Sequence, residues 1–135
     1  MNNYFVILAA GKSRRFNKKI PKQFYNYKNK EIIEHSIEKS VNSKLFKKIV
    51  VVSNNLNRFK KKKYPKIVKI IKGGKERSDS SLIGLKYIKK FKPTNVLIHD
   101  AARPNFSINL LKNILKNLKN NKAVVPFITP KDSIK

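Results

Sequence analysis

The sequence predicts an α/β fold with a mostly parallel sheet, on two observations. Short runs of β-branched and apolar residues alternate along the 135 residues with segments of helical periodicity. Several of the strand-like runs stop in small or charged residues, as strands do when their carboxyl ends carry a ligand site.

The elements follow in order. Tyr4 to Ala10 is an apolar run that stops at two alanines and Gly11, which reads as a buried parallel strand followed by a turn. Glu31 to Val41 repeats Ile33, Ile37 and Val41 on one helical face. Lys48 to Val52 and Ile67 to Ile71 are two further strands, and the basic run Arg58 to Lys63 between them reads as a solvated face with no function. After Gly73-Gly74 a helix is expected with Leu82, Ile83, Leu85 and Ile88 inward. Val96 onward is a buried strand ending in His99-Asp100-Ala101-Ala102-Arg103-Pro104. Ser107 has the chemistry of an N-cap for a helix with Ile108, Leu111, Leu115 and Leu118 inward. Ala123 to Thr129 reads as one more strand, leading to Pro130 and Asp132. Such alternation calls for helices on both faces of the sheet, in one domain over residues 1–135.

The chemistry concentrates where the strands end. Ala9, Ala10 and Gly11 lack bulk, so backbone N–H groups there can approach an anion, and Gly11 can take φ > 0. Arg15 and Lys22 add fixed positive charge suited to a polyphosphate whose charge grows in a transition state. Gly73-Gly74-Lys75-Glu76-Arg77-Ser78-Asp79-Ser80 offers glycines for close approach to a base or ribose, and hydroxyls at Ser78 and Ser80 for capping or ligand contact. Asp100, at a strand's carboxyl end, suits Mg²⁺, which is commonly held by one or two carboxylates plus substrate phosphates. His99 reads as a packing histidine, His35 receives no role, and Asp132 reads as the end of a strand. Two familiar loops are excluded. Gly11-Lys12-Ser13 lacks the glycine that a P-loop needs at position 6, where Val6 stands, and no G-x-G-x-x-G occurs.

Taken together, four segments resemble the 2-C-methyl-D-erythritol 4-phosphate cytidylyltransferase family of the non-mevalonate isoprenoid pathway. They are L-A-A-G-x-S-x-R at Leu8 to Arg15 with P-K-Q-F at Pro21 to Phe24, G-G-x-x-R-x-x-S at Gly73 to Ser80, H-D-A-A-R-P at His99 to Pro104, and D-S-I-K at Asp132 to Lys135, and they span residues 4 to 135. The resemblance implies a three-layer αβα Rossmann-like nucleotidyltransferase fold, incomplete at the C-terminus and truncated before the family's dimerisation arm. It implies transfer of the cytidylyl group from CTP to methylerythritol phosphate with release of pyrophosphate, and a homodimer for the full-length protein. By this carry-over Arg15 and Lys22 are catalytic, and Asp100 holds Mg²⁺. Ala9, Ala10, Gly11, Gly74, Lys75 and Ser80 surround the nucleotide, and Ala101 and Arg103 face the acceptor. Lys75 stands where the family often has an acidic residue, a position whose usual contact is through the backbone. Family members continue for roughly another hundred residues, still within the size of one domain, so this chain by itself is expected to have weak or no activity. Ribitol 5-phosphate cytidylyltransferases share the loop, P-K-Q and H-D-A-A-R-P elements and are the alternative within the same chemistry.

Composition bounds the remaining classes. There is no cysteine, so neither a disulfide framework nor a thiolate metal site is available. No apolar run approaches the length of a membrane span and Met1 leads straight into the first strand, so the expected location is the cytoplasm. The net charge of +26 invites a nucleic-acid reading, yet only five of the 33 basic residues are arginine. Three of those five, Arg15, Arg77 and Arg103, are arginines that the quoted motifs specify. Weak, nonspecific and salt-sensitive binding to nucleic acid is expected, and a dedicated basic binding module or an inactive fragment is the reading outside enzymes.

Overall fold

In a computed structural model, residues 1–11 and 19–129 are described. Arg15 and Asp132 lie outside the described residues.

The sheet is built from four strands: β1 (Asn3–Ala9), β4 (Lys48–Ser53), β5 (Val68–Lys72) and β6 (Asn95–Asp100). Between β1 and β4 come a small antiparallel hairpin of β2 (Asn26–Tyr27) and β3 (Lys30–Glu31), and helix α1 (Ile32–Ser43). Helix α2 (Arg77–Lys89) links β5 to β6, and α3 (Ile108–Leu118) follows β6. All pairings in the large sheet are parallel, in the order β5-β4-β1-β6. The chain thus steps outward from β1 through β4 to β5, then returns to the other side of β1. That reversal creates a topological switch point between the carboxyl ends of β1 and β6, where open α/β sheets bind their ligands.

Strand alternation divides the core in two. On one face Phe5, Ile7, Ile49 and Val51 pack with Ile33 and Ile37 of α1 and Leu111 and Leu115 of α3. On the other, Tyr4, Val6, Leu8, Val50 and Val52 meet Ile88 of α2. Helices on both faces make the three-layer αβα, Rossmann-like arrangement that the alternation predicts. Two helix expectations hold in detail: Ile33 and Ile37 are buried, and the Ser107 hydroxyl accepts the Leu110 N–H at 3.0 Å as a cap.

Three local expectations fail. The inward face of α2 is Ser80, Gly84 and Ile88, while Leu82 and Leu85 are exposed. The reason is proximity: a Cβ on Gly84 would come within 2.9 Å of Val6 Cγ1, so only small residues let α2 lie this close to the sheet. The α2 cap is made by Glu76 and Asp79, each side chain accepting the other's backbone N–H, rather than by Ser78. Residues 123–129 form no strand, and Val125, Phe127 and Ile128 are more than four-fifths exposed. A strand needs a neighbour's hydrogen bonds, and this segment makes none with the sheet, leaving the outer edge of β6 unpaired among the described residues.

The basic run is more than a solvated face. Lys62 bridges Glu31 at 3.1 Å and Glu34 at 2.7 Å, and Arg58 reaches Glu31 at 3.5 Å while lying over the Phe24 ring. Tyr64 donates its hydroxyl to Glu34 at 2.6 Å. Burial works against the Lys62 ammonium, yet Glu34 and Glu31 together hold its pKa above the ordinary lysine value. Burial and the same carboxylates push the Tyr64 phenol far above its usual value. The start of α1 is thereby tied to the chain between β4 and β5.

Candidate active site

At the switch point lies a cavity of ≈ 370 Å³. The end of β1 contributes Ala10 and Gly11 to it, and the end of β6 contributes Asp100 to Arg103. Register explains the juxtaposition: Leu8 pairs with Asp100, and Ala101 N–H donates to the Leu8 carbonyl at 2.9 Å. The loop after β5 and the first turn of α2 close a third wall with Gly74, Lys75, Glu76, Arg77 and Ser80. Lys22 and Gln23 enter from a short 3-10 turn, Lys22–Phe24, pinned by Phe24, which is buried against Phe59. A second opening of ≈ 780 Å³ shares Ala10, Gly11 and the Gly74–Arg77 loop on its other side.

Of the residues singled out from sequence, Ala10, Gly11, Lys22, Gly74, Lys75, Ser80, Asp100, Ala101 and Arg103 all line this cavity. Ala9 is buried behind it and presents its carbonyl to Gln23. No described glycine has positive φ, so Gly11 does not use the freedom expected of it. Gly73 and Gly74 are needed for space inside the protein instead: a Cβ on Gly73 would meet Ala10 Cβ at 2.6 Å and Ser80 Oγ at 2.8 Å, and one on Gly74 would meet Asp79 Cβ at 2.5 Å. The Ser80 hydroxyl, fully buried, accepts the Gly74 N–H at 3.1 Å and so fixes that loop to α2. By contrast a Cβ on Gly11 would meet nothing, because Gly11 faces open space.

The cavity is cationic. Its described lining carries Lys22, Lys75, Arg77 and Arg103 against Glu76 and Asp100, a net formal charge of +2. Both Asp100 oxygens face guanidinium groups, Arg77 Nε at 3.0 Å and Arg103 Nε at 3.6 Å. Among the described residues no three acidic or histidine side chains gather as a metal cage. A lone carboxylate, about one-third exposed, fits a hard divalent cation only if phosphate oxygens complete its shell.

His99 lines the back of the turn rather than the cavity. Its ring lies 4.5 Å from that of Phe106 and 5.8 Å from that of Phe5, and Nε2 bonds the Arg103 carbonyl at 2.7 Å. A carbonyl only accepts, so Nε2 carries the proton. Burial lowers the His99 pKa below the ordinary value, with the Arg103 carbonyl and Asp100 opposing it. The packing role expected of His99 is the one its contacts describe. His35 bonds the Tyr27 carbonyl and steadies the hairpin.

Sequence reasoning passed over Gln23, Asn54 and Arg77 as site residues. Gln23 and Arg77 stand inside the quoted motifs, so a signal was present. Asn54, which donates to the Gly74 carbonyl at 3.0 Å from the end of β4, carried none.

An all-parallel sheet with a cationic cleft at its switch point defines the class: a Rossmann-like α/β protein whose cleft suits an anionic ligand. The family model for 2-C-methyl-D-erythritol 4-phosphate cytidylyltransferase (IspD) matches residues 4–135, and the chain belongs to that family. It is 47% identical over 136 residues to the bifunctional enzyme IspD/IspF of Pelagibacter ubique, covering all of this chain and 37% of that protein. The 2-C-methyl-D-erythritol 4-phosphate cytidylyltransferase of Thermotoga neapolitana is 33% identical over 135 residues, covering 98% of this chain and 61% of its own length. Among solved structures, the Francisella tularensis enzyme of the same name superposes with a TM-score of 0.74 at 29% identity, over the whole of this chain and 63% of that one. The chain therefore spans less than two thirds of the length of these relatives. No described helix is long and apolar enough to cross a membrane.

Proposed function

We propose that this chain is the nucleotide-binding portion of a cytidylyltransferase that moves CMP from CTP to 2-C-methyl-D-erythritol 4-phosphate and releases pyrophosphate. The observation that carries the reading is the convergence of three separate motifs, ending β1, following β5 and ending β6, on one cationic cavity at the switch point. The substrate phosphate oxygen attacks the α-phosphorus of CTP, a bond to that oxygen forms, and the bond to the pyrophosphate oxygen breaks. No covalent enzyme intermediate is needed, so the protein's part is positioning and charge stabilisation.

In this reading Lys22, together with Arg15, stabilises the charge that grows on the phosphoryl oxygens. Ala9, Ala10 and Gly11 form the loop beneath the triphosphate, and Gly74, Lys75 and Ser80 border the cytidine. Arg103 and Ala101 face the acceptor phosphate from the end of β6. Asp100 holds a divalent cation, taken to be Mg²⁺, which when bound offsets triphosphate charge and assists pyrophosphate departure. Residues 1–135 form one nucleotidyltransferase unit of a cytoplasmic, homodimeric protein.

Calorimetric titration of this chain with CTP, GTP and ATP in Mg²⁺ tests the proposal. CTP-selective binding that survives about 0.3 M salt is expected, because a built site resists screening that erases surface charge effects. Equal binding of all three, abolished by salt, overturns it.

A further inference from the structure

We propose that Gln23 is a positioning residue that shapes the loop beneath the triphosphate, an inference that rests on the nucleotide reading above. Gln23 is 3% exposed and lines the cavity. Its Nε2 donates to the Ala9 carbonyl at 3.0 Å and to the Gly11 carbonyl at 2.9 Å. Both acceptors are carbonyls, so the amide orientation follows from chemistry: only the NH₂ end has two protons to give.

The carbonyl between them is engaged as well, at longer range, by Asn54 Nδ2 at 3.5 Å from the Ala10 oxygen. Three consecutive carbonyls in the loop that ends β1 are thus covered by side-chain amides. A carbonyl oxygen carries partial negative charge, and an uncovered one beside a triphosphate repels it. Covering it with an amide proton reduces that repulsion and fixes the loop before the ligand arrives, which a preorganised anion site requires.

Gln23 also couples two parts of the site. It shares its turn with Lys22, and that turn is anchored by Phe24 in the core and closed by the Phe24 N–H to Pro21 carbonyl bond at 3.0 Å. The two Gln23 bonds therefore set the position of the Lys22 backbone relative to the loop ending at Gly11. A residue needed only for folding would affect every nucleotide alike. One that shapes the phosphate loop affects the polyphosphate and spares the base.

The test compares CTP with CMP on the parent chain, Q23E and Q23M, by calorimetry in Mg²⁺, with thermal unfolding recorded for each. Q23E places a carboxylate against two carbonyls, and Q23M keeps the shape without the donors. The expected result is a loss of about tenfold or more in CTP affinity for Q23E, and a smaller loss for Q23M, with CMP affinity nearly unchanged. If Q23E shows no cooperative unfolding, Q23M decides on the same ratio. An unchanged CTP-to-CMP ratio in a folded variant of a CTP-selective parent overturns the loop role alone. A parent that does not favour CTP over GTP and ATP overturns the underlying nucleotide reading and this inference with it.

Discussion

Replacing Gly73 by alanine probes how tightly two walls of the cavity are joined. Gly73 is the point where the end of β1 and the start of α2 meet over β4: its added Cβ would lie 2.6 Å from Ala10 Cβ, 2.8 Å from Ser80 Oγ and 3.2 Å from Val52 Cγ1. Carbon atoms in contact sit about 3.5–4.0 Å apart, so the loop must shift by about 1 Å away from Ala10. None of the three neighbours gives way cheaply. Ala10 Cβ is fixed to the backbone, Val52 is fully buried, and the Ser80 hydroxyl is held by the Gly74 N–H. Overpacking of this kind costs about 1–3 kcal/mol, and a displacement of about 1 Å in a positioning loop costs up to about 100-fold in function. The assay is urea unfolding of G73A, paired with CTP titration. G11A is the control, since its Cβ meets nothing within 4 Å and its stability should stay within about 0.5 kcal/mol of the parent. A G73A chain as stable as the parent, binding CTP equally well, would refute the close-packed junction.

Three further outcomes are expected. Asp100→Asn removes the carboxylate from a cavity that keeps Arg77 and Arg103, so the Mg²⁺ concentration giving half-maximal CTP binding should rise; an unchanged metal dependence removes Asp100 from the cation site. His99 has a folded pKa below its unfolded value, so the unfolded chain takes up the proton first, and stability, full above about pH 7, falls as pH drops through about 6.5. Thermal midpoints measured from pH 8 to about 5.5 should show that decline, and H99N should flatten it. Tyr64→Phe removes a hydroxyl bonded to a charged carboxylate and should cost about 1–2 kcal/mol in urea unfolding, with CTP affinity unaltered.

The four parallel strands and three helices were legible because their signals are local. β-Branched runs mark Lys48–Ser53 as a buried strand, a three-to-four spacing places Ile33 and Ile37 on one face, and Ser107 has the oxygen its helix needs. Part of the cavity lining was legible for a related reason, since small residues and charges gather at the strand ends, while Lys75, Ala101 and Arg103 were expected there only through the family resemblance.

Tertiary structure decided the remainder. The inward face of α2 depends on how near the helix lies to Val6 and Val52, a distance no periodicity encodes, and so Gly84 faces inward while Leu82 faces solvent. Residues 123–129 have the composition of a strand, but among the described residues they pair with neither open edge of the sheet, β5 or β6, and pairing is a tertiary event that composition does not decide. Gln23, Asn54 and the Arg77–Asp100 pair act across 12 to 44 positions of sequence. Sequence by itself determined which segments could be strands, helices and anion-facing turns, since those follow from side-chain shape and spacing along one chain. Which of those turns meet, and which carbonyls their side chains cover, was set only when the sheet reversed its order at β1 and brought the ends of β1 and β6 together.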